Sequence, residues 1–341
     1  MTTRAALYPF LFEPIYKEKI WGGRAFETIG RILPGDADHA IGESWEIADL
    51  ATTSVSGGGG NAEYSVVANG PLKGRSLRQL MQQFGGALLG GDITPADDGG
   101  FPLLIKFLDA KENLSVQVHP SPAYAVDHDD AFLKSEAWVI IHAEPGSVIY
   151  KGLAPGTTPE QLRAAIQTNT DAAVVPLLNA IPAKQGDYHY LPSGTLHALG
   201  AGVLVAEVQT PSDTTYRVYD WGRTDRERHI EQAMACIDFT THFDESQAPA
   251  RHNITGMTVT EKASCDFFNI AEYAADQATV VTDLILKSAE VWMSLEGAAS
   301  LQHEGNSTPF EHGQTLLLPA SLSRITFTAQ TPGRWLRVTL P

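Results

Sequence analysis

Cysteine is almost absent from this chain, with two in 341 residues, Cys236 and Cys265, and no CxxC spacing. That excludes a disulfide scaffold, and a reducing cytoplasm is the expected location. Long apolar runs are also missing. No stretch approaches the ~20 residues that a membrane helix needs. The opening 1-MTTRAALYPFLFEPIYKEKIW-21 is broken by Pro9 and Pro14, and it has neither the apolar core nor the cleavage site of a signal peptide. No membrane partner is expected. Positive charge is scarce, with 24 Lys and Arg against 40 Asp and Glu and a formal net charge of −16. Such a surface repels phosphate backbones, so no nucleic-acid partner is expected. An anionic small substrate would need a local cluster of Lys and Arg. Extended polar tracts are missing too. With 43% hydrophobic and 19% charged residues, the chain reads as ordered and globular, with core enough for two or three domains.

What is present is mostly strand. Short β-rich runs recur at 101-FPLLIKFL-108, 114-LSVQVHP-120, 137-AWVIIHA-143, 202-GVLVAEVQ-209, 284-LILKSAEVWMSL-295 and 313-GQTLLLP-319. Turn residues separate them closely, which predicts an antiparallel sandwich or barrel. Helical patterns are fewer. One is 76-SLRQLMQQFG-85 with Ser76 as N-cap, and another is 157-TTPEQLRAAIQ-167 with Thr157 and Glu160 in a capping-box pattern. A third is 228-RHIEQAMACIDF-239. The run 56-SGGGG-60 is followed by no Gly-Lys-Ser/Thr and no clear helix, so it is a surface loop and not a phosphate loop. The polar, irregular segment 240-TTHFDESQAPARHN-253 marks the expected domain boundary.

A weak internal repeat is visible. The stretch 186-GDYHYLPSGTLH-197 runs Gly, five residues, Pro, four residues, His. The stretch 313-GQTLLLPASLSR-324 has the same spacing, with Arg324 in place of the His, and 136-EAW-138 is echoed by 290-EVW-292. Nothing like Gln117-x-His119 precedes Glu290 closely. This predicts one active domain and one that keeps only the framework.

The first copy carries the polar set. Alternate residues on a strand share a face. Gln117 and His119 therefore project together, away from Val116 and Val118, and Lys134 and Glu136 form a second such pair. With His197 at the end of the Gly-Pro-His segment, Gln117, His119, Glu136 and His197 form a candidate four-ligand set for a divalent cation, of a kind that suits zinc. Taken singly, each has an ordinary reading as a strand-end, solvent-facing or turn residue. Glu207 reads either as a general base or as a polar strand end. Arg217 reads either as a phosphate clamp or as a partner of Asp213 or Asp220. Lys106, inside an apolar run, is costly unless it faces a cavity or a partner.

Together, 13-EPIYKEKIWGG-23, 42-GESWEIAD-49, 70-GPLKGRSLRQLM-81, 102-PLLIKFLDAKENLSVQVHPSPAYA-125, 133-LKSEAW-138 and 190-YLPSGTLHALGAGVLVAEVQTPSDTTYRVYDWGR-223 resemble the type I phosphomannose isomerases of the shorter bacterial kind, over about residues 9–240. The resemblance implies a mainly β fold of two cupin-type jelly-roll barrels with a small helical insertion at about 155–182. Residues 1–240 would form the catalytic domain and 241–341 a non-catalytic β domain. It implies one Zn2+ per chain, or another divalent cation, on Gln117, His119, Glu136 and His197. It places Lys106, Lys134, Glu207 and Arg217 in the active site. Two departures stand out. The chain reads 134-KSE-136 where many longer members read Lys-Pro-Glu, and the spacing from His197 to Glu207 is one residue longer than in the longer forms.

The implied reaction interconverts mannose 6-phosphate and fructose 6-phosphate through an enediol, with a phosphorylated sugar as partner. Glu207 is the favoured base and Lys134 its competitor. Arg217 and Lys106 would bind phosphate or orient the sugar, and Glu43 and Trp21 would line the cavity or serve as framework. Two other readings compete, a non-haem metal oxygenase on a similar barrel and a non-catalytic sugar-phosphate binding protein. Monomer and homodimer are both compatible with the sequence.

Overall fold

In the computed structural model, residues 7–54, 59–241, 243 and 249–341 are described. The glycine run 56–60 and the boundary segment 240–253 lie partly outside them. The fold is mainly β, and every named strand pair is antiparallel. In the first half, a six-stranded sheet runs in the order Tyr188–Leu191, Glu136–Ala143, Val203–Gln209, Leu104–Ala110, Ile41–Ile47, Ile15–Gly23. It faces a five-stranded sheet in the order Leu178–Pro182, Val148–Leu153, His197–Leu199, Val116–Val118, Tyr216–Tyr219.

Residue parity decides which side chains fill the space between these sheets. Leu108, Ala110, Trp138, Ile140, Val203 and Val205 form an apolar plug inside the sandwich. Their odd-numbered or even-numbered neighbours, such as Phe107, Val139 and Ala206, face outward into a larger core. Further along the same inner faces the residues become Lys106, Glu136 and Glu207, all buried. One end of the sandwich is therefore dry and the other polar.

The C-terminal half is a second pair of sheets. A four-stranded sheet contains Thr279–Ile285, Arg324–Ala329, Ala299–His303 and Asn306–Phe310. An eight-stranded sheet includes Asn269–Ala275, Gly333–Thr339, Glu290–Glu296 and Thr315–Leu318, and it takes in Phe10–Glu13 and Val66–Val67 from the start of the chain. Phe10 lies opposite Leu317. The larger core joins the halves, packing Phe10, Phe84 and Phe107 with Val291, Leu336 and Val338. The apolar run 284–295 is not one strand. It divides between Thr279–Ile285 and Glu290–Glu296, with buried Ser288 in the connection.

The repeat is visible in register. Leu191, five residues after Gly186, lies opposite Glu136, and Leu318, five residues after Gly313, lies opposite Glu290. Gly313 has φ +75°, and a Cβ there would come 2.2 Å from the Ile29 carbonyl oxygen, so both conformation and space require glycine.

The helices cover this framework. Leu77–Leu89 starts at Ser76, whose hydroxyl accepts from Gln79 N while the Gln79 side chain accepts from Ser76 N. The next helix, Pro159–Thr168, has its capping box at Thr158 and Gln161, one residue beyond the expected Thr157 and Glu160. Pro159 explains the shift. Its fixed φ suits the first helical position, so the residue just before it becomes the cap. The third helix is Ile230–Cys236. The last two pack on the outer face of the five-stranded sheet.

Candidate metal centre and active-site cavity

Strand pairing assembles the polar set. His197 lies opposite Gln117, and Gln117 lies opposite Arg217, so these three share one line across the five-stranded sheet. On the facing sheet Glu136 leads into Trp138, and Trp138 lies opposite Glu207, which lies opposite Lys106. The metal-binding atoms of His119, Glu136 and His197 all fall within 4.8 Å of one another, and all three residues are buried. His119 Nε2 is 3.3 Å from Glu136 Oε2, and His197 Nε2 is 3.1 Å from Glu136 Oε1. Gln117 approaches His197 Nε2 at 3.5 Å through its amide.

The proton arrangement shows what this cluster is built for. His119 Nδ1 is 2.9 Å from the Thr214 carbonyl oxygen, and His197 Nδ1 is 2.9 Å from the Thr195 carbonyl oxygen. A carbonyl only accepts, so each Nδ1 carries the hydrogen and each Nε2 is left as a lone pair. These lone pairs face the Glu136 carboxylate, another acceptor. His119 Nε2 and both Glu136 oxygens have no hydrogen-bond partner. Lys134 Nζ comes within 2.7 Å of Glu136 Oε2, an ion-pair distance, but the alignment is not that of a hydrogen bond. Lys134 answers one Glu136 oxygen, but the His119 lone pair and Glu136 Oε1 still converge without a donor, a buried arrangement that a cation among them would satisfy. The donor set therefore fits a divalent metal, and backbone carbonyls orienting both imidazoles are the usual outer support of such sites.

Charge follows the same logic. Burial and the Lys134 ammonium push His119 down to about 3, which keeps its imidazole neutral. Burial alone would raise the Glu136 carboxyl, but the Lys134 ammonium leads the influences that outweigh it and hold it well below the usual carboxylate range. Glu207 moves the other way, because burial and the nearby Glu136 charge raise it against the pull of Lys134 and Lys106. Two carboxylates in one site are thus driven apart in acidity.

A cavity of about 570 Å³ opens over this floor. Trp21, Glu43, Lys106, Gln117, Lys134, Glu207 and Arg217 line it. Lys106 does face a cavity and partners, with its Nζ 3.6 Å from Glu43 and 3.5 Å from Glu207 and lying over the Trp45 ring. Those two carboxylates offset the burial that would otherwise lower its pKa, and the net shift is upward. Burial would raise Glu43, but Lys19 and Lys106 hold it well below the usual range. Arg217 pairs with neither Asp213 nor Asp220. Its Nη1 donates to the Glu227 carbonyl oxygen at 2.7 Å.

Several participants were not picked out from sequence. Trp138 Nε1 donates to Glu207 Oε1 at 2.8 Å, and its ring stands edge-on to His197. Ser115 Oγ donates to Gln117 Oε1 at 3.0 Å. Trp45 Nε1 donates to Glu43 Oε2 at 2.6 Å. Strand parity held a signal for some of them. Lys17, Lys19 and Trp21 alternate along one strand, as do Glu43 and Trp45 on the next, and all five line the cavity.

Comparison with known proteins agrees with this geometry. Residues 10–132 match the family described as phosphomannose isomerase type I, catalytic domain. The chain is 33% identical over 320 residues to the mannose-6-phosphate isomerase ManA of Bacillus subtilis (strain 168), covering 92% of this chain and 94% of that one. It is 38% identical over 271 residues to a mannose-6-phosphate isomerase of Streptococcus mutans, covering 78% of each. Its fold matches the crystal structure of the mannose 6-phosphate isomerase from Bacillus subtilis with a TM-score of 0.83 and 31% identity, over 97% of this chain and 99% of that one.

Proposed function

We propose, from the premise that this chain belongs to the type I phosphomannose isomerase family, that it interconverts mannose 6-phosphate and fructose 6-phosphate through an enediol. The observation that carries the reading is the converging acceptor set of His119, Glu136 and His197 under a cavity that also presents Glu207 and Lys106. Gln117, His119, Glu136 and His197 would hold one divalent cation, with zinc favoured by two imidazoles. When bound, the cation supplies Lewis-acid stabilisation of negative charge on the sugar oxygens.

The remaining chemistry falls to side chains. Glu207 takes the proton from C2 and returns it at C1. Its raised pKa suits proton exchange with a weak carbon acid, and Trp138 fixes one of its oxygens so that the other faces the cavity. Lys134, paired with Glu136, serves as a cation that polarises a sugar oxygen or assists ring opening. Lys106 and Arg217 orient the substrate, and Glu43 and Trp21 shape the wall. Residues 1–240, apart from the strands Phe10–Glu13 and Val66–Val67 that join the second half's sheet, make up the catalytic domain and residues 241–341 the supporting one. The two free cysteines are compatible with a cytoplasmic enzyme. No described helix is long and apolar enough to cross a membrane.

The test is the initial rate of fructose 6-phosphate formation from mannose 6-phosphate by the purified, metal-loaded protein. A robust rate that chelation abolishes and zinc restores supports the proposal. No rate from folded, loaded protein overturns it.

A further inference from the structure

The cavity wall also carries a group of cationic side chains. Beside the strand that carries Gln117, Arg217, Arg226 and His229 line it, from the strand Tyr216–Tyr219 and the segment that follows. Arg217 is buried, its Nε has no hydrogen-bond partner, and it makes no ion pair among the described residues. A buried guanidinium left this way is costly unless an anion completes the site. Glu227 also lines this end, yet it gives Arg217 its backbone oxygen rather than its carboxylate.

Arg226 is held differently. Its Nε and Nη2 donate to Asp220 Oδ2 and Oδ1 at 2.9 and 2.7 Å. That fork leaves Nη1 without a hydrogen bond among the described residues. Asp220 is fully buried and also accepts from Arg223 Nη2 at 2.6 Å, while Arg223 is tied to the Asn113 carbonyl oxygen at 2.7 Å. One inaccessible carboxylate therefore aligns two guanidiniums and fixes the direction of the one that reaches the cavity. Planar, two-point pairing is what gives a guanidinium a defined heading.

We propose that Arg226 joins Arg217, already expected to bind phosphate, in receiving the dianionic phosphoryl group of the substrate, and that Asp220 is the positioning residue that aims Arg226 at it. The identity of the sugar rests on the isomerase reading above, whereas the anion site rests on the guanidiniums. A hexose 6-phosphate carries its reacting C1 and C2 at one end and its phosphate at the other. One cavity that presents both the ligand cluster and two guanidiniums offers a partner to each end, within a protein whose overall field repels anions.

The experiment compares metal-loaded wild type with Arg226→Gln and Asp220→Asn on mannose 6-phosphate and on mannose, and titrates inorganic phosphate into each by calorimetry. Arg226→Gln should raise KM for mannose 6-phosphate roughly 10–100-fold, the usual cost of a lost charge-assisted pair, with kcat changed less than about threefold. Preference for the phosphorylated sugar and affinity for inorganic phosphate should fall by a similar factor. Asp220→Asn should give the same KM-weighted pattern at smaller size. If it does not fold by circular dichroism, Asp220→Glu replaces it, with the same expectation. Unchanged KM and phosphate affinity in Arg226→Gln, or a loss confined to kcat, overturns the proposal. An Asp220 variant that folds and behaves as wild type removes its positioning role. Wild type that binds phosphate but turns over no sugar, with binding weakened in Arg226→Gln, leaves the anion site standing and defeats the isomerase reading instead.

Discussion

Two strands of this protein begin alike, Glu136-Ala137-Trp138 in the first half and Glu290-Val291-Trp292 in the second, and both lie in the same register against their repeat partner. They differ in the residue opposite the tryptophan on the other side. Trp138 faces Glu207, and Trp292 faces Arg337. In the second half Arg337 pairs with Glu290, its Nε donating at 2.8 Å, and its Nη1 donates to the Tyr273 hydroxyl at 3.0 Å, while Trp292 Nε1 donates to Glu290 at 3.0 Å. Every charge there is answered from within. In the first half the same position holds a second carboxylate, so Trp138 turns to Glu207 and the Glu136 oxygens are left facing histidine lone pairs. A reversed charge opposite the tryptophan, together with the missing Gln-x-His pair and Arg324 in place of the histidine, separates a structural lock from a site that fits a cation.

Removing a ligand breaks the comparison hardest. His119→Ala should lose bound metal and activity together. Loss of an outer-shell partner already costs ~10–100-fold, and loss of a direct ligand should cost more. Metal analysis beside the rate assay checks this, and wild-type metal content would take His119 out of the ligand set. Glu207→Gln should keep the metal and lower turnover by ~10²–10⁴-fold, the range for a general base. A near-wild-type rate would reassign the base. Arg337→Met should do the reverse and leave the metal and the rate per folded molecule intact. It should cost about 3 kcal/mol in urea unfolding, because it strands buried Glu290. A metal or rate defect would show that the second half is not merely framework.

The mildest change concerns a third carboxylate, neither locked by arginine nor set against histidines. Asp109 is buried with the Ala25 amide donating to it at 2.6 Å, and burial pushes it up to about 6. Between its unfolded value of about 3.9 and about 6, the folded state holds more protons than the unfolded one. Stability should therefore fall as pH rises through that window and be recovered as pH drops. Asp109→Asn should flatten that slope, and the difference between variant and wild-type unfolding midpoints from pH 4 to 7 measures it. Parallel curves would mean that Asp109 does not titrate there.

Strand parity made much of the site legible. Gln117 with His119, and Lys134 with Glu136, share faces because the period of a strand is two. The repeat was legible because its turn needs a left-handed glycine at Gly313, a local requirement. Trp138 opposite Glu207, and Arg226 on Asp220, were not legible. The first follows from a register set by long-range pairing. The second follows from a fully buried aspartate that looks like any other turn residue in sequence. The Thr158 cap was missed by one position because two adjacent threonines precede Pro159. Nothing in the first strand announces that it belongs to the last sheet, since its partner lies at the far end of the chain.

That pairing has a consequence for biosynthesis. Phe10–Glu13 leaves the ribosome about 300 residues before its partner Thr315–Leu318. At ~5–20 residues per second, the early strand waits roughly 15–60 s for its mate. During that time its edge and the apolar faces of Phe10 and Phe12 have no native cover from the C-terminal sheet. The nascent chain should thus depend on holding chaperones until Thr315–Leu318 has been made, and a stop codon ahead of that strand should yield an aggregate rather than a truncated enzyme.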